Sequence, residues 1–134
     1  MSSISDVHNV TIPITTSGTI AVGSTNYYAF RSPTAANGGG VTILNAYVTE
    51  YSTAHAAGSA PVFRLLTYSG GGTPAIAGTI AGTVACTSVG TPHAFTVATP
   101  FVNANQWVVV EYGGTAASAV AINEFVTFQY VMGY

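Results

Sequence analysis

From Ala119 to Met132 the apolar residues Val120, Ile122, Val126, Phe128, Tyr130 and Met132 fall on alternate positions, with Asn123, Thr127 and Gln129 between them. Successive side chains of an extended chain point to opposite faces, so this stretch buries one clean face only as a β-strand. Wound into a helix, the same residues would be spread around its circumference. The alternation recurs from Val7 to Ile14, where His8, Val10, Ile12 and Ile14 share one face and Asn9 and Thr11 the other. Pro13 has no amide hydrogen to give to a ladder, which places this first strand at a sheet edge.

Further strands are predicted at Thr19 to Val22, Asn26 to Arg31, Val41 to Tyr51, Val62 to Tyr68, Ile76 to Cys86 with a break at Gly82, His93 to Ala98, and Gln106 to Tyr112. The alternation of Val41 to Tyr51 slips near Leu44 and Asn45 as it does at a β-bulge, after which Tyr47, Thr49 and Tyr51 share a face. Gly38 to Gly40, Gly70 to Gly72 and Gly113 to Gly114 read as loops. A chain of 134 residues suits one domain with its own core. The expectation is an all-β, single-domain β-sandwich over residues 1–134, jelly-roll-like, with about eight strands and an extended N-terminal segment at residues 1–25. Gly-Thr-Ile-Ala occurs at 18–21 and at 78–81, and Gly-Thr-Val-Ala at 82–85, but without the fixed period of a solenoid.

Charge narrows the function. Only 4% of residues are charged, against roughly a quarter in typical soluble domains. The charged side chains are Asp6, Arg31, Glu50, Arg64, Glu111 and Glu124, and there is no lysine. A surface this neutral gives little protection against association, so much of it is expected to be covered in the working state. Two arginines cannot neutralise a nucleic-acid backbone, which excludes that partner. No apolar run approaches the roughly 20 residues of a membrane-spanning helix. The N-terminus lacks a basic region followed by an apolar stretch, and the expectation is a chain used without Sec export or already processed.

Chemistry finds little purchase. Cys86 is the single cysteine, so no disulfide within the chain is available. His8, His55 and His93 are scattered, without acidic or cysteine neighbours at metal-ligand spacing. The triple glycines are not followed by Lys-Ser/Thr, and no Gly-x-Ser-x-Gly elbow occurs. No catalytic residue, cofactor or metal site is expected, and the Asn9-Val10-Thr11 sequon carries little weight without a secretory signal. Glu124 stands out as an acid on the apolar face of the last strand, where burial demands a partner. Arg31 and Arg64 are the candidates to pair with Glu124, Glu111 or Glu50 in a structural ion pair.

The runs Tyr28 to Pro33, Gly39 to Tyr47, Pro100 to Tyr112 and Tyr130 to Tyr134 resemble the small β-sandwich structural proteins of tailed bacteriophages, of the head decoration or cement type. The resemblance implies a non-enzymatic virion component that binds at symmetry axes or seams of a shell, its partners being copies of itself and the major capsid protein. Assembly would then take place in the host cytoplasm. Tyr47, Tyr51, Tyr130, Met132 and Tyr134 are the candidate interface residues, because tyrosine is favoured where subunits meet. The alternative is a phage tail or fibre module, or another glycan-binding sandwich, stacking sugars on exposed tyrosines.

Overall fold

Alternation decides which side of each strand is buried, and cross-strand register then decides which side chains meet. The computed structural model describes residues 6–34, 39–51, 55–115 and 118–133. They form β1 (His8–Thr15), β2 (Thr25–Arg31), β3 (Val41–Glu50), β4 (Val62–Tyr68), β5 (Ile76–Ala85), β6 (His93–Ala94), β7 (Phe101–Val102), β8 (Trp107–Gly113) and β9 (Asn123–Met132). The one helical element among the described residues is a 3-10 turn at Ala57–Ser59.

The strands make two antiparallel sheets, one ordered β1-β9-β3-β6 with β7 also on β3, the other ordered β2-β8-β4-β5. Consecutive strands change sheet at most connections, and with the two-residue β7 set aside this order is that of a jelly roll. Ile12, Ile14, Val48, Val126 and Phe128 of the first sheet close on Phe63, Leu65, Ile80, Val108 and Val110 of the second, all of them buried. Pro13 is tolerated because β1 has a neighbour on one side only. Within the N-terminal segment, β1 pairs with β9 along its whole length and Ile20 bridges Val120.

The bulge in β3 sets the geometry that matters most. Its register against β9 shifts between Ile43 and Asn45. Before the shift Val41 and Ile43 are buried, and after it Ala46, Val48 and Glu50 are. One extra residue thus turns Tyr47 and Tyr51 outward and Glu50 inward.

Some expected strands are shorter. Of Thr19 to Val22 only Ile20 makes a bridge, to Val120, and the last continuous strand begins at Asn123. His93 to Ala98 leaves the first sheet after two residues, because the Ala98 and Thr99 amides cross over to the Ile80 carbonyl.

Candidate functional site

Three places in the sandwich gather side chains with something to do. The first is the outer face of the β1-β9-β3 layer. Opposite the buried row, Thr11, Thr15, Phe125, Thr127, Gln129, Asn45, Tyr47 and Tyr51 point away from the core. No Asp, Glu, Lys, Arg or His stands on this face among the described residues, since Glu50 and Glu124 take the inward parity. Several of its polar groups already pair with one another across strands. The hydroxyls of Thr11 and Thr127 lie 3.1 Å apart, Asn45 Nδ2 donates to Gln129 Oε1 at 3.0 Å, and the Thr15 hydroxyl sits 3.1 Å from that of Tyr51. Tyr51 also stacks on Phe125, with ring centroids 4.3 Å apart.

The expected interface set does not lie on one surface. Tyr47 and Tyr51 are on this face, whereas Tyr130 follows the inward parity and stacks on Phe30 at 4.8 Å and on His8 at 5.3 Å. Met132, exposed at the end of β9, stands opposite Val41. Tyr134 lies outside the described residues.

The second place is the outer face of the other sheet, which holds both arginines. Arg64 Nε and one terminal nitrogen reach Glu111 Oε1 at 2.9 and 2.8 Å. Arg31 donates to the Gly70 carbonyl at 2.8 Å and lies over the Trp107 ring, 5.9 Å from its centroid. Pairing of either arginine with Glu124 is therefore corrected: both stand on the far sheet, facing outward, while Glu124 faces the core. Tyr28 meets Tyr68 and Trp107 edge to face at 5.5 and 5.6 Å, and the Tyr68 hydroxyl accepts from Asn26 Nδ2 at 2.9 Å. Beside the Arg64–Glu111 pair, Val22, Gly23, Val62 and Thr83 help to line a cleft of about 480 Å³.

The third place is buried. Glu124 and Glu50 are direct partners across β9 and β3, on the inward face, and both are fully buried. His55, just beyond β3, brings Nε2 to 2.9 Å from Glu50 Oε1. Glu124 Oε2 accepts the Asn123 amide, while Glu124 Oε1 has no hydrogen-bond partner among the described residues. Burial pushes the Glu124 carboxyl up to about 7; the Asn123 amide pulls it back, and the Glu50 carboxylate adds a smaller push. Cys86 is buried in the same region. Its thiol is pushed up to about 12, first by burial and then by Glu124 and Glu50, against a pull from the Glu50 backbone. At that value it stays protonated and a poor nucleophile.

Donor atoms of Glu50, His55 and Glu124 all lie within 4.8 Å of one another. Sequence spacing hid this group, because its members come from β3, the segment after it, and β9. The signal available was the slip at Leu44: with Tyr47 and Tyr51 on one face, Glu50 had to share the other with Ala46 and Val48.

Comparison with family models, with curated proteins and with solved structures found no match to the chain.

Proposed function

We propose that this protein is a non-enzymatic structural component of a virus particle, a decoration or stabilising protein that lays the outer face of its β1-β9-β3 layer against shell subunits. The observation that carries this is the absence of charge from that face, together with the lateral pairing of its polar side chains. Covering such a surface desolvates no ion, and the amide and hydroxyl groups that already pair across strands keep those partners, which lowers two of the usual costs of a protein interface. The jelly-roll order agrees with the reading, being an architecture that capsid and lectin domains share.

The second reading, a glycan-binding module, draws on the Tyr28, Tyr68 and Trp107 cluster with Arg31 above it. Immunogold labelling of particles from the source culture with antibody against this chain separates the two. Gold over heads, lost from particles complemented with Thr127→Arg, is the expected result. Gold at tail tips, with saccharide binding abolished by Tyr28→Ala, would replace the first reading by the second, and unlabelled particles would remove both.

A further inference from the structure

We propose that Glu50, Glu124 and His55 form a binding site for one divalent transition cation, Zn²⁺ foremost, between the two sheets. The site is independent of the outer face and of what that face contacts. Two carboxylates directly opposite each other across antiparallel strands repel, and burial removes the water that would screen them. Both arginines are engaged on the far sheet, Arg64 with Glu111 and Arg31 with Gly70 and Trp107, and the basic group beside the carboxylates is His55, against Glu50 Oε1. A divalent cation cancels both charges at once and leaves His55 to bind as the neutral imidazole.

The donors have the right identity and spread. Around a tetrahedral Zn²⁺ with bonds of about 2.0–2.2 Å the ligand atoms stand about 3.4 Å apart. Here the three donors already lie within 4.8 Å of one another, with His55 Nε2 and Glu50 Oε1 at 2.9 Å. Glu124 Oε1 supplies an independent sign. It belongs to a fully buried side chain of this group and makes no hydrogen bond among the described residues, a costly arrangement unless a ligand takes its lone pair. Two oxygens and one imidazole suit Zn²⁺ or Mn²⁺, while Ca²⁺ asks for six to eight oxygen donors. Three protein ligands leave a fourth position, which the buried surroundings restrict to water or another small donor.

The test uses the full chain, stripped with chelator and titrated with ZnCl₂ at pH 7 by calorimetry and by thermal unfolding, with CaCl₂ as control. Expected are one Zn²⁺ per chain and a rise in Tm of roughly 5 °C or more at saturation, with no comparable response to Ca²⁺. Glu124→Gln keeps the shape of the side chain and relieves the repulsion, so the metal-free variant should fold, yet bind Zn²⁺ at least about 100-fold more weakly. His55→Ala, at a position outside any strand, removes the imidazole ligand and provides the same comparison from the other side of the site. Less than stoichiometric binding by the native chain, or unchanged affinity in both variants, would overturn the site.

Discussion

At the residue scale Glu124 ties stability to pH. Its carboxyl is raised from 4.5 to about 7 by burial, with Glu50 beside it, His55 in the same group, the Cys86 thiol within electrostatic reach, and the Asn123 amide opposing. An acid whose folded value exceeds its unfolded one favours the protonated, folded form. Its contribution is complete below about pH 4.5 and is lost as the pH rises through about 7. Metal-free protein is therefore expected to be more stable at pH 5 than at pH 8, by up to about 3 kcal/mol from this group at about 1.4 kcal/mol per unit. Glu124→Gln has no proton to lose and should flatten that slope. Thermal melts of both proteins in chelator from pH 5 to pH 8 measure it, and parallel curves would show that protonation of Glu124 is not coupled to folding in this range.

At the scale of elements, the sandwich depends on places where one strand's backbone crosses another segment closely. Gly113 ends β8 beneath the connection from β1 to β2, and a Cβ there would stand 2.2 Å from the Ala21 carbonyl oxygen and 2.3 Å from the Gly23 amide nitrogen. Both are backbone atoms with no rotamer to escape into, so Gly113→Ala is expected to cost at least about 2 kcal/mol. Gly82, in β5, has nothing within 4 Å of its Cβ position, and Gly82→Ala should be neutral or stabilising by a few tenths of a kcal/mol. Urea unfolding of the pair checks this; equal losses would mean that the crossing at Gly113 gives way easily. Such contacts explain what could and could not be read beforehand. Val62 to Tyr68 was legible to the residue, and so was the bulge at Leu44, because both are written in local alternation. Glu124 was legible as an acid on a buried face. Its partner was not, since which side chain faces it depends on the register of β9 against β3. The brevity of β6 was equally hidden, because the crossing to Ile80 that ends it is a contact between distant parts of the chain.

At the scale of the whole molecule, the few charges are sorted by place. Glu50 and Glu124 are inside, Arg31, Arg64 and Glu111 belong to the outer side of the second sheet, and Asp6 precedes β1. A contact through the β1-β9-β3 face therefore contains no ion pair for salt to screen. Ionic strength acts on exposed charges within a Debye length, about 10 Å at 0.1 M and shorter in more salt, and on this face it has little to act upon. Under the proposed function, the affinity for particles is expected to change by less than about threefold between 50 and 500 mM NaCl. Sulfate, which strengthens the burial of apolar surface, should tighten it. Sedimentation of particles with labelled protein across a salt series measures both effects. A steep loss of binding in NaCl would place the contact on the arginine-bearing sheet, where Arg31, Arg64 and Glu111 are the available charges, and the uncharged face would then need another role.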